Sequence, residues 1–146
     1  NEVRLKSAYV VKCVGCNKDE NGNVVEVLAE YDPATKGGNT PDGRKVKGTI
    51  HWVDSKTAKD AEVRMYASLF LDPDPDAGDK DFLACLNPDS LEILQNCKVE
   101  AALADVTAPA AFQFMRQGYF CVDNRDSSKE HPVFNRSVSL KDSFKK

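Results

Sequence analysis

Turn-forming residues interrupt this chain so often that no long regular element fits between them. "KDENGN" (18–23), "DPATKGGNTPDG" (32–43) and "LDPDPDAGDKD" (71–81) each gather Gly, Pro, Asn or Asp. Glycine supplies positive φ, proline fixes its own φ and removes a donor, and Asn and Asp side chains bond the local backbone. The runs between are short and rich in Val, Leu and Tyr: "VRLKSAYVVKC" (3–13), "VVEVLAEY" (24–31), "KVKGTIHWV" (45–53) and "AEVRMYASLF" (61–70). Such composition, with polar residues interleaved, predicts strands. The Asn21-Gly22 pair between 3–13 and 24–31 predicts a tight hairpin. Further along, "SLEILQNCKVEAALAD" (90–105) begins with strand alternation, and "VFNRSVSL" (133–140) adds another candidate. "DKDFLACLN" (79–87) fits a short helix stopped before Pro88. The pattern predicts an all-β barrel or sandwich.

At 146 residues the chain is one ordinary domain or two very small ones. Hydrophobic content of 41% with 29% charged residues fits a soluble globular protein, and no apolar run reaches the roughly 18 residues of a membrane span. The start, "NEVRLKSAYVV", shows neither an initiator Met nor a signal-peptide pattern, which predicts a piece of a longer chain. Five scattered cysteines, at 13, 16, 85, 97 and 121, argue against a disulfide framework and for a cytoplasmic setting. The net charge of −3 is unevenly spread. Residues 72–100 hold eight acids against Lys80 and Lys98, so the remainder is net basic, most visibly at Arg4, Lys6 and Lys12 and at Arg136, Lys141, Lys145 and Lys146. That partition is compatible with a polyanionic partner as well as with ordinary surface charge.

"FQFMRQGYFCVD" (112–123) poses the sharpest local problem. On one unbroken strand Arg116 would share a face with Phe112, Phe114 and Phe120, and an unpaired guanidinium buried there would cost several kcal/mol. A turn supplied by Gln117-Gly118 resolves this, pairing 112–115 with 119–122 and leaving Arg116 on the turn close to Gln113. Arginine and amide forks beside aromatic residues suit the edges and faces of unstacked bases.

Other constellations carry less. "CVGC" (13–16) is half of a zinc-ribbon pattern without its second pair, and i, i+3 positions of a continuing strand face opposite ways. "DPDPDAGDKD" (72–81) has prolines at alternate positions and no closing Glu, which predicts a solvated acidic loop and no calcium site. His51, beside Trp52, lacks a nucleophile motif near it and reads as structural. Neither a P-loop nor a dinucleotide fingerprint is present, and the sequence offers no catalytic residue and no metal ligand set.

Four collinear blocks, "DGRKVKGTIHWV" (42–53), "AEVRMYASLF" (61–70), "FQFMRQGYFCVD" (112–123) and "VFNRSVSLKDSF" (133–144), closely resemble the C-terminal part of the glutaminyl-tRNA synthetase family. "VRLKSAYVVKC" resembles the family's first-strand motif, and the match covers nearly the whole chain. The resemblance implies two consecutive six-stranded β-barrels of the anticodon-binding type, a barrel also found in a ribosomal protein. About 1–60 would lie mostly in the distal barrel, and about 61–146 in an incomplete proximal one with an open edge. It implies a monomer whose ATP- and magnesium-dependent catalytic domain lies upstream, so that these residues alone hold no cofactor and no activity. The partners implied are that domain and the anticodon loop of glutamine tRNA, with no membrane. Gln113 and Arg116 fall where the family contacts the middle anticodon base. Arg4 and Lys6 fall on the basic pair that serves the first anticodon nucleotide and its phosphate. Lys6 replaces the usual Arg, which keeps the charge and loses the bidentate fork. Met115 stands where Glu is common, and Ser143 and Phe144 replace Thr and Trp, with Lys141 and Ser143 as further tRNA contacts. The alternatives are a glutamyl relative, a ribosomal RNA-binding barrel and a protein-interaction barrel.

Overall fold

The computed structural model describes residues 1–140, and among them no helix is long and apolar enough to cross a membrane. Lys141 and Ser143 lie outside the described residues. The described chain is all-β, with three single-turn 3-10 helices, and divides into two units between Trp52 and Val53. Each unit is built on one open sheet.

In the first unit, strands β1 (Glu2–Leu5), β2 (Val10–Lys18), β3 (Val24–Asp32) and β4 (Gly48–Ile50) form a sheet in the order β3-β2-β1-β4. The β2–β3 hairpin closes where Asn21-Gly22 predicts it, with Gly22 at φ 82 and Asp19 accepting the Asn21 and Asn23 amides. The predicted 3–13 strand is instead two strands. Ser7 takes φ 59, Ala8 N–H donates to the Leu5 carbonyl at 3.0 Å, and the chain reverses so that β1 pairs antiparallel with β2. The 45–53 candidate shortens to β4, which joins the other side of β1 in parallel.

A second departure concerns "CVGC". A β-bulge between Cys13 and Gly15 adds one residue, so Cys13 opposes Ala29 while Cys16 opposes Val27. Residues 27 and 29 share a face, so the two cysteines do as well, contrary to the unbroken-strand expectation. Among the described residues no group of three or more His, Cys, Asp or Glu side chains is placed to hold a metal ion.

The second unit orders its strands β6-β5-β9-β8-β7: β5 (Lys59–Tyr66), β6 (Leu91–Val99), β7 (Ala111–Phe114), β8 (Gly118–Val122) and β9 (Val133–Val138). All neighbours are antiparallel except β5 and β9. The helix expected in 79–87 is a 3-10 turn, Phe82–Cys85, capped by the Asp81 carboxylate on Leu83 N–H. Ala61, Val63, Val99, Phe120, Val122 and Phe134 are buried together, with Phe112 and Phe114 packed against them. Phe114 stacks on Phe120 with centroids 4.5 Å apart and meets Phe134 edge-on at 5.4 Å. Neither sheet closes into a barrel, and large apolar side chains such as Val25, Leu71 and Ile93 are exposed. The open five-stranded sheet fits the incomplete proximal barrel that the resemblance implies, and the first unit, with four strands of the six expected, is open as well.

In the first unit the pivotal polar residue is Thr35, fully buried in the 3-10 turn Pro33–Thr35. Its hydroxyl accepts from Val10 N–H at 2.8 Å and donates to the Asp32 carbonyl at 2.6 Å, joining the ends of β2 and β3. Thr35→Val keeps the shape and orphans the Val10 amide. It is expected to destabilise this unit by about 1–3 kcal/mol, read from urea unfolding.

Candidate nucleic-acid interface

Alternation around the phenylalanine core decides what β7 and β8 expose. Phe112 pairs with Phe120 and Phe114 with Gly118 on the inner face, whereas Gln113 pairs with Tyr119 on the outer one. The hairpin turns through Met115, Arg116 and Gln117, where Gln117 N–H donates to the Phe114 carbonyl at 2.9 Å. Arg116 therefore stands on the turn, as the sequence requires. Its φ of 66 is a value at which glycine or asparagine is usual. An arginine there costs roughly 1–2 kcal/mol of backbone strain relative to a relaxed residue. Gly118, expected within the turn, instead opens β8. Its φ is 148, and a Cβ there would lie 2.7 Å from the Val138 carbonyl oxygen. Gln113 and Arg116 are both exposed, and among the described residues Arg116 enters no ion pair.

The basic pair of the first unit is built differently. Lys6 occupies the Leu5–Ala8 turn, and its backbone is clamped on both sides. Its N–H donates to the Ile50 carbonyl at 3.0 Å, and its own carbonyl accepts from the Trp52 indole at 3.1 Å. The Lys6 side chain is exposed. Trp52 thus has a structural task. Arg4 is half-buried: Nε donates to the Gly38 carbonyl and Nη1 to Thr49 Oγ1 at 3.3 Å. Gly38 takes φ 89, which strains any other residue, and a Cβ there would lie 3.0 Å from Arg4 Cδ, so the Arg4 side chain would have to shift to admit it. Two of the Arg4 donors are thereby spent on the fold. The structure brings Gln113 and Arg116 together on one hairpin and sets Arg4 and Lys6 along one strand and the turn after it.

Other arginines are neutralised internally. Arg44 meets Asp32 at 2.5 Å, Asp42 at 2.6 Å and Glu2 at 3.0 Å. Arg64 meets Glu62 and Asp126, each at 2.7 Å, and Asp123 at 3.4 Å. Hydrogen bonds donated to these carboxylates raise both guanidinium pKa values further above the ordinary range, so neither cation titrates. The acidic 72–81 loop folds on itself, with Lys80 on Asp72 at 2.6 Å and Asp72 accepting from Asp74 N–H. Sequence reasoning missed the Thr49 and Gly38 partners of Arg4, which are distant in the chain. The predicted pairing of 112–115 with 119–122 would set Cys121 opposite Gln113, whereas the observed register is shifted by two residues and sets Tyr119 there.

The loop that follows β8 is organised by Asp123. Its carboxylate accepts the Asp126 and Arg125 amides at 2.8 Å and the Asn135 side-chain amide at 2.7 Å. The Asp126 amide chiefly, then Asn135 and Arg125, hold its pKa down at about 2. A carboxylate with a depressed folded pKa contributes stability above its unfolded value near 4, and this is lost as pH falls towards 2. Asp123→Asn is therefore expected to lower stability at pH 7. The difference from wild type should shrink between about pH 4 and 2, read from urea midpoints across that range.

Residues 49–123 match the family model described as the anti-codon binding domain of class I tRNA synthetases (E and Q), which is more than half of the chain. Similar relatives include glutamine–tRNA ligases of Bradyrhizobium diazoefficiens, 54% identical over all of this chain, and of Bordetella avium, 56% identical over 99% of it. That of Vibrio vulnificus is 48% identical over the whole chain. The chain spans about a quarter of the length of these relatives. The all-β fold agrees with this match, and the chain belongs to the anticodon-binding domain family of the class I glutamyl- and glutaminyl-tRNA synthetases.

Proposed function

We propose that this chain is the tRNA-recognition region of a glutamine–tRNA ligase and reads the anticodon loop of glutamine tRNA. The intact ligase would attach glutamine to that tRNA using ATP, in the cytoplasm and as a monomer. ATP and magnesium would belong to a catalytic domain outside these residues, since the chain carries no phosphate-binding motif. The glutamine–tRNA ligases similar to it along its whole length favour this reading over a glutamyl parent.

The observation that carries the reading is Arg116. A charged side chain without an ion pair among the described residues is displayed on a turn whose backbone would be relaxed by glycine. Strain retained at an exposed position implies that the side chain is wanted there. The guanidinium and the Gln113 amide offer two planar hydrogen-bonding groups for one base edge, and a good bidentate contact discriminates by roughly 1–3 kcal/mol. Lys6, an exposed point charge without a fork, suits phosphate. Arg4 keeps one terminal nitrogen beyond its two structural bonds, and it would serve both the loop and the RNA.

The test is aminoacylation of glutamine tRNA by the full-length protein, with a middle-base anticodon variant as second substrate. Wild type is expected to prefer the normal anticodon, and Arg116→Ala to erase most of that preference. Survival of the preference would reduce Arg116 to a turn residue. Arg116→Gly should lose the preference equally, yet unfold at the same or higher urea concentration, because glycine tolerates φ 66. Lys6→Ala should weaken both tRNAs alike and flatten the salt dependence of binding by about one phosphate contact. Arg4→Ala should also lower stability, by about 1–2 kcal/mol, through its lost bonds to Gly38 and Thr49.

A further inference from the structure

We propose that Tyr119 is the stacking surface of the Gln113–Arg116 site, so that the base whose edge these two residues read lies against its ring. This rests on the anticodon-reading function proposed above and adds to it a residue and a mode of contact. Register supplies the geometry. Tyr119 is the direct cross-strand partner of Gln113, so their side chains rise from the same face as neighbours, with Cβ atoms roughly 5 Å apart. On its other side Tyr119 pairs with Val138. Tyr119 is 46% exposed and Val138 58%, and Met115, on the adjoining turn, is 42% exposed. An amide, an aromatic ring and an aliphatic side chain thus follow one another across the outer face, with a guanidinium on the turn beyond.

The ring has no evident task in the fold. Phe112, Phe114, Phe120 and Phe134 make the core on the opposite face, and Tyr119 belongs to none of their ring contacts. Its backbone is held independently, by the ladders to β7 and β9 and by the Ser137 hydroxyl donating to its carbonyl at 3.1 Å. Hydrogen bonds to a base edge leave the base face to be covered, and an exposed aromatic ring is the side chain that covers it. The competing explanation is that tyrosine merely suits an exposed strand. The two explanations separate by substitution, since isoleucine keeps the strand preference and loses the π face.

The experiment measures binding of a glutamine-tRNA anticodon stem–loop to the full-length protein by fluorescence anisotropy, for wild type, Tyr119→Ile, Tyr119→Phe and Arg116→Ala. A second RNA carries an abasic middle anticodon nucleotide. Tyr119→Ile is expected to raise Kd roughly 5- to 100-fold on the intact loop, the range for one lost base–aromatic stack. Tyr119→Phe should stay within about threefold of wild type, and the isoleucine effect should vanish on the abasic RNA. Unfolding midpoints of both variants should match wild type. If Arg116→Ala weakens binding and Tyr119→Ile does not, the anticodon reading stands and the stacking role is overturned. If neither matters, both fall. Equal losses for Phe and Ile, or an isoleucine loss that persists on the abasic RNA, would also overturn stacking, the former by pointing to the hydroxyl and the latter to another contact.

Discussion

The stack of Phe114 on Phe120, closed by Phe134, decides how the 111–122 hairpin is displayed. Strand side chains alternate, so burying the phenylalanines on one face obliges Gln113 and Tyr119 to occupy the other. A one-residue slip would invert this and place an amide and a phenol in the core, which the burial of several aromatic rings opposes. Specificity of this kind is inherited from packing. The site's polar groups need no core of their own, because the hydrophobic face beneath fixes their register.

The first unit uses a polar anchor where the second uses aromatic rings. Thr35 bonds β2 to the end of β3, Arg44 gathers Glu2, Asp32 and Asp42, and Arg4 ties β1 to Gly38 and Thr49. With Val10 the only buried aliphatic residue among the described residues of this unit, such bonds carry much of its local order. Under the proposed function Arg4 then has two tasks that compete for its donors. A lysine at that position would keep the charge and drop the loop contact.

Cations in this protein fall into two groups. Arg44 and Arg64 sit among carboxylates and contribute little field beyond their own neighbourhood. Arg116 and Lys6 are exposed on turns, with no ion pair among the described residues. A net charge of −3 is therefore compatible with local attraction for a polyanion, because eight of the 23 acids are concentrated in residues 72–100, where Lys80 pairs with Asp72.

Local sequence by itself determined the all-β class, the hairpin at Asn21-Gly22 and the break in the strand before Arg116. Each follows from alternation and turn chemistry within a few residues. The same locality marked Gln113 and Arg116 as a pair. The tertiary structure decided the turn at Ser7, the bulge that turns Cys13 and Cys16 to one face, the parallel pairings of β1 with β4 and β5 with β9, and the capture of Arg4 by Gly38 and Thr49. Those features depend on partners tens of residues away, whose pairing is settled by which register buries the most apolar surface and satisfies the most backbone bonds. No local window of sequence contains that comparison.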